Sequence, residues 1–212
     1  MTAKASVPTR SPAPSWRVAL TFDDGPSEWT PDVLEALAEA GAKATFFVIA
    51  ANVRQRPDTL RLIVDAGHEI GNHTFTHPRV TTLTDGQVYE ELAETQDMIQ
   101  AETGVLPTFW RAPHFDVDDA KHQVAASLNL THAGRTIDPS DWQAGPAERI
   151  AAAVIDQLAD GAIVDLHDGI PPGGGLGTAS RADTVAAVRL ILAGAPAGTE
   201  FVTVTSLLAG DA

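Results

Sequence analysis

Residues 17–26 read Arg17-Val18-Ala19-Leu20-Thr21-Phe22-Asp23-Asp24-Gly25-Pro26, a short apolar run that stops on two adjacent carboxylates and a Gly-Pro turn signal. A run of this length and composition predicts a buried strand over 17–22. Outward from it, the same unit recurs. Thr30-Pro31 predicts an N-cap followed by proline at the first helical position, and Gly41 closes that helix. Ala44 to Ile49 predicts a second strand, a helix follows from about Pro57 to Gly67, and His68 to Gly71 predicts a third strand. Thr84 and Gln87 have capping-box spacing, after which Val88, Leu92 and Ile99 share one face of a helix ending at Gly104. Phe109-Trp110 and Leu130 to Arg135 are further units. They are followed by an Ala-rich helix after Pro146, Ala162 to Leu166, a helix capped by Ser180, and Phe201 to Thr205. Strands alternating with helices predict an α/β fold with a parallel sheet or barrel.

The chain is long enough for one domain with a full core, and no low-complexity linker divides it. Residues 1–15 are rich in Ser, Thr, Pro and Ala without an apolar signal core, so a loose tail is expected there and a single catalytic domain over 16–212. With 28 acidic residues against 14 Lys plus Arg, the net charge of -14 argues against nucleic acid and polyanionic partners. The absence of Cys removes disulfides, thiolate nucleophiles and Cys-type zinc sites, so any metal must rest on His and carboxylate. No stretch has the length of a membrane span, and the compartment stays open between the cytoplasm and export with a signal already removed.

Polar clusters fall at the predicted strand ends. Asp23-Asp24 ends the first strand, His73 and His77 follow the third, Arg111 ends the Phe109 strand and His167-Asp168 ends the Ala162 strand. In alternating β/α folds such residues converge on one mouth. Imidazole and carboxylate ligate a divalent ion while a spare carboxylate handles protons, which is what metal-assisted hydrolysis needs. Each motif alone is common: adjacent Asp before Gly-Pro is more often a turn, and His-x-x-x-His a surface pair. Pro78 after His77 disfavours a continuing helix, so the two histidines are expected on one turn or an irregular loop. The Gly-rich run Pro171 to Gly175 lacks the Lys-Ser/Thr ending of a phosphate cradle and reads as a rim loop.

Taken together, the motifs Thr21-Phe22-Asp23-Asp24-Gly25-Pro26, His73-Thr74-Phe75-Thr76-His77, Arg111-Ala112-Pro113-His114, Asp138-Pro139-Ser140-Asp141-Trp142 and Leu166-His167-Asp168 resemble those of the polysaccharide deacetylases, the fourth family of carbohydrate esterases. The resemblance runs from about 17 to 205. It implies a distorted (β/α) barrel of seven or eight strands and metal-dependent removal of an acyl group, N-acetyl above all, from an amino sugar or sugar ester. It also implies Asp24, His73 and His77 as metal ligands, Asp23 as the base and Arg111 as the residue that orients it. Zn²⁺ is the expected ion, with Co²⁺ able to substitute.

His167 suits protonation of the leaving amine, with Asp141 the first candidate to orient it and Asp138 the alternative. The resemblance also implies that the backbone N–H of His114, with the metal, holds the oxyanion, and Trp142, Trp110 and Phe115 are candidate platforms for a sugar ring. His68, His122 and His132 read as core-edge or surface residues, and Trp16 and Trp29 as packing. Three other readings use the same residues: a non-haem iron oxygenase, a catalytically silent sugar binder, and a deacylase of small metabolites. One position departs from the family pattern. Two residues before His167, where an apolar side chain is usual, stands Asp165, expected to face the interior either as an ion-paired carboxylate with Arg111 or Arg135 or as part of a polar acyl pocket.

Overall fold

The computed structural model describes residues 15–143, 145–174 and 180–210, so the expected tail, Ser15 apart, and Gly175 of the Gly-rich run lie outside the described residues. The first half contains β1 (Arg17–Asp23), α1 (Thr30–Glu39), β2 (Ala44–Val48), α2 (Ala50–Val53), α3 (Pro57–Asp65), β3 (Glu69–Asn72) and α4 (Asp85–Thr103). The second contains β4 (Phe109–Trp110), α5 (Asp119–Ser127), β5 (Thr131–His132), α6 (Ala147–Ile155), β6 (Ile163–His167), α7 (Ala182–Gly194), β7 (Glu200–Phe201) and α8 (Val204–Ala209). The strands form one seven-stranded parallel sheet in the order β5-β4-β3-β2-β1-β6, with β7 pairing the start of β1. The sheet curls into a half-barrel. Between β5 and β6 the circuit is carried by a single parallel bridge, Ile137 to Val164.

Alternation along the strands sorts side chains into two layers. Leu20 and Phe22 of β1, and Ala44, Phe46 and Val48 of β2, face outward into a core shared with α1, α3, α6 and α7. Ala19, Phe47, Ala133 and Val204 fill the inside, where α8 closes the bottom of the half-barrel. A second outer core packs Val88 and Leu92 of α4 and Ala125 of α5 against Trp110. Gly71 is required by this interior packing: a Cβ there would lie 2.3 Å from Cδ1 of Phe47. The freed space lets the Phe47 ring lie under the Arg111 guanidinium, 4.2 Å from its carbon.

The local signals act largely as read, with some corrections. The Thr84–Gln87 capping box is formed, and Gly41, Gly67 and Gly104 carry positive φ just past their helices. Thr30 is the first helical residue instead of the cap, because its hydroxyl is used elsewhere: it accepts from the Ser27 N–H and donates to Asp168. The cap of α7 is Arg181, with Ser180 Oγ accepting from the Ala182 N–H. The segment expected at Leu130 to Arg135 pairs only at Thr131 and His132, since the chain then swings across to meet β6. At the C-terminal end only Glu200 and Phe201 are strand. Thr203 caps a new helix by accepting from the Ser206 N–H, and Thr45 accepts from the Val204 N–H.

Candidate active site

Because every strand runs the same way, the C-terminal ends of β1, β3, β4 and β6 open on one cleft of about 320 Å³. It is lined by Asp23, Asp24, His73, His77, Asp165 and His167 among others, with Phe115 and Trp142 also in its wall. Asp24 leaves β1 with φ of 71°, and His77 with φ of 64°, in the left-handed region that ordinary side chains avoid. These turns aim three donors at one point. Oδ1 of Asp24 lies 3.5 Å from Nε2 of His73 and 3.3 Å from Nε2 of His77. A tetrahedral ion with ligands about 2.0–2.1 Å away places those ligands about 3.3 Å apart.

The chemistry of the trio asks for a cation. Nδ1 of His73 lies 2.8 Å from the Arg111 carbonyl, which can only accept, so Nδ1 carries the hydrogen and Nε2 presents a lone pair. Oδ1 of Asp24 is buried with no hydrogen-bond partner. Burial pushes His77 down to about 3, keeping it a neutral imidazole, while Asp24 is drawn down to about 2 against its own burial by His73 and the neighbouring imidazoles. Burial opposes charge on His73 as well, yet Asp23 and Asp24 raise its affinity for a proton; a divalent ion meets the same demand by displacing that proton. These residues fit a metal.

The loop that carries the two histidines is irregular, with Thr74 also at positive φ, and it is held from outside. Glu91 on α4 accepts from the Phe75 and Thr76 N–H groups at 2.7 and 2.8 Å and from the Thr76 hydroxyl. Asn72 accepts from the Thr74 N–H. Asn52 on α2 donates to the Asp24 carbonyl and to the Ile170 carbonyl, tying two strand-end loops together. None of Glu91, Asn72 and Asn52 stands in a recognisable motif, and no sequence signal marked them as supports of this loop.

Asp23 sits beside the trio without joining it. Its Oδ1 accepts from Nη1 of Arg111 at 2.8 Å, and its Oδ2 lies 3.7 Å from Nε2 of His73. Burial raises Asp23 to about 6, Arg111 resists that rise and Asp165 adds to it. Across the cleft, Nδ1 of His167 lies 2.7 Å from Oδ1 of Asp141, whose Oδ2 accepts from the His167 backbone N–H and from Thr184. Of the two candidate carboxylates, Asp141 is the one bonded to His167. Asp138 instead pairs with Arg135 and caps the Ser140 N–H.

Asp165 faces the interior and is 1% exposed, with Oδ1 3.2 Å from Nη1 of Arg111 and Oδ2 2.6 Å from Nη1 of Arg135. Both arginines suggested for it are thus used together. Asp23, Asp165 and His167 also bring ligand atoms within 4.8 Å of one another, but the two guanidiniums already supply the positive charge that an ion would bring there.

The aromatic platforms divide. Trp142 stays in the cleft wall, whereas Trp110 is fully buried beneath His122 and His132 and has no face to offer a sugar. Phe115 reaches the cleft, yet its ring is covered by the Arg135 guanidinium at 4.0 Å. His114, at φ of 59°, sets its ring edge-on to His77. His68 accepts from the Ala44 N–H, and His132 meets Trp110 edge-on; neither is among the residues lining the cleft. Trp16 packs on the main core.

Fold and site together define a parallel α/β half-barrel with a histidine–carboxylate centre at its strand ends. The polysaccharide deacetylase family model matches residues 10–133, and the chain belongs to that family. It is 39% identical over 158 residues, 74% of this chain and 72% of the relative, to a chitooligosaccharide deacetylase of Bradyrhizobium. A peptidoglycan-N-acetylglucosamine deacetylase of Listeria monocytogenes is 38% identical over 72% of this chain, which spans only 32% of that longer protein. Among solved structures, a family 4 acetyl xylan esterase from Clostridium thermocellum in complex with a cobalt ion superposes with a TM-score of 0.79 at 33% identity, covering 91% of this chain and 90% of that one. The matched family segment ends before Asp141 and His167, so the geometry of that pair is independent of it. Among the described residues no helix is long and apolar enough to cross a membrane.

Proposed function

We propose that this chain is a Zn²⁺-dependent N-deacylase of amino sugars or their oligomers, N-acetyl groups included. The observation that carries this reading is the meeting, in one cleft, of a ligand trio, a separate carboxylate on Arg111 and a histidine on Asp141. Asp24, His73 and His77 would hold the ion, which when bound supplies Lewis acidity toward a carbonyl oxygen and toward water. Asp23, held by Arg111, accepts a proton from the attacking water above about pH 6, where it is ionised. The water oxygen adds to the acyl carbon to give a tetrahedral adduct with an oxyanion; as that adduct collapses the C–N bond breaks and His167 gives its proton to the departing nitrogen, so amide plus water becomes carboxylate plus ammonium. Burial works against a charged His167, but Asp141 overrides it and raises the imidazole to about 10, so it carries that proton at neutral pH. The His114 N–H is the proposed donor to the oxyanion, and Trp142 the proposed sugar platform.

An iron oxygenase has no use for the Asp23–Arg111 and His167–Asp141 pairs, and a silent sugar binder would not need to keep both. The test is amine release from acetylated chito-oligomers, followed by mass spectrometry. Chelation is expected to abolish release and Zn²⁺ or Co²⁺ to restore it; full turnover by metal-free protein would overturn the reading.

A further inference from the structure

The small residues of the reaction leave one direction inside the cleft unassigned. Nitrogen must face His167, and the carbonyl oxygen the ligand trio. The sugar carries the rest of its oligomer and so stays at the mouth. The acyl tail therefore points inward, toward Asp165, which lies two residues and roughly 6.6 Å deeper than His167 on the same face of β6. His167 is 15% exposed at its side chain and Asp165 is 1% exposed, which marks the change from mouth to floor.

That floor is built for hydrogen bonding. Asp165 receives one N–H on each oxygen, from Arg111 and from Arg135, and two guanidiniums fix its plane. Each carboxylate oxygen retains a further lone pair. Arg135 spends Nη1 on Asp165 and Nη2 on Asp138 and keeps N–H donors beyond these two. The Phe115 ring lies under that same guanidinium. A methyl group matches neither donor nor acceptor there, and an acyl carboxylate would meet Asp165 and Asp138. A hydroxyl, which donates and accepts, matches both.

We propose that the Asp165–Arg135 pair is a specificity wall that selects amides bearing a hydroxyl on the carbon next to the carbonyl, N-glycolyl in type, over N-acetyl amides. This inference rests on the deacylase reading. Its test uses the Zn²⁺-loaded full chain with chito-oligomers carrying N-glycolyl or N-acetyl groups, comparing kcat/KM for amine release. The glycolyl substrate is expected to lead by about tenfold or more, because a site built to hydrogen-bond a hydroxyl discriminates against the analogue lacking it. Asp165→Leu is expected to shift the ratio toward acetyl by about tenfold or more. Arg135→Gln, which leaves Asp165 its Arg111 contact, should move the ratio the same way and serves if the leucine variant does not fold. Glycolate should likewise inhibit wild type more tightly than acetate. An acetyl preference in wild type, or an unchanged ratio in both variants with only a lower Tm, overturns the inference while sparing the deacylase reading. Silence toward both substrates overturns that reading and this inference with it.

Discussion

At His167 two opposing forces meet, and their balance is measurable. Desolvation would discharge the imidazole, while the Asp141 carboxylate 2.7 Å away holds the charge, and the outcome is a value raised from 6.5 to about 10. A group whose folded value is raised stabilises the protein fully below its unfolded value and loses that contribution as pH rises through the folded one, here between about 6.5 and about 10. Activity should follow the same group, with an alkaline limb near 10 in wild type. In Asp141→Asn that limb should move down toward neutrality, with a larger loss on amides than on esters with good leaving groups; a pH profile of kcat/KM checks this. An unmoved limb would mean that another group titrates there. On the other side of the cleft, Asp23→Asn should remove activity while keeping Zn²⁺ affinity within about tenfold, whereas His77→Ala should lose both, since only His77 belongs to the trio. Competition with a chromophoric chelator separates the two, and loss of metal in Asp23→Asn would make Asp23 a ligand.

The element that presents the histidines is a loop with little regular structure of its own, so its order must come from neighbours. Glu91 supplies three of its hydrogen bonds from α4. Glu91→Gln keeps the size but puts an amide where a carboxylate accepted, and it should weaken Zn²⁺ binding by about tenfold, within the range seen for residues that support metal ligands. Unchanged affinity on chelator titration would show the loop to be ordered by Asn72 and α2 alone. This support was not legible in the sequence, because a glutamate on a helix carries no mark of which loop it caps. The strands β1, β2 and β6 were legible, since they are buried on both faces and read as near-continuous apolar runs. β5 and β7 pair through two residues each, too short for periodicity to bound them, and α5 gave no apolar stripe strong enough to read. Trp110 was misplaced for a related reason: an aromatic beside a motif looks like a platform until the packing of α4 and α5 shows it beneath the sheet. Asp23, Asp24, His73, His77 and Asp141 could be singled out because each sits in a motif, the first four just at or beyond the ends of β1 and β3 and Asp141 in the turn before α6. The clamp of Arg135 on both Asp165 and Asp138 depends on how the chain crosses from β5 to β6, which no local pattern specifies.

Across the whole molecule the dominant field is negative, with a net charge of -14. Part of it lies close to the centre: Glu90, Glu91 and Glu94 of α4 line a groove that shares Phe75 and Thr76 with the histidine loop. An acylated amino-sugar oligomer is neutral, but each deacylation leaves an amine that is cationic at mildly acidic pH. The reaction thus converts a ligand indifferent to this field into one attracted by it. Exposed charges separated by more than a Debye length, about 30 Å at 0.01 M and about 10 Å at 0.1 M, are screened from each other, so the attraction should be strong only in dilute buffer. Inhibition by fully deacylated oligomers is therefore expected to weaken by roughly fivefold or more when ionic strength rises from about 0.01 M to 0.1 M, while KM for the neutral substrate changes by less than about twofold. An anionic glycan should show the opposite slope, binding better as salt is added. Product inhibition measured at the two ionic strengths decides the matter: equal inhibition at both would place the product's grip in the cleft alone, with the surface field playing no part.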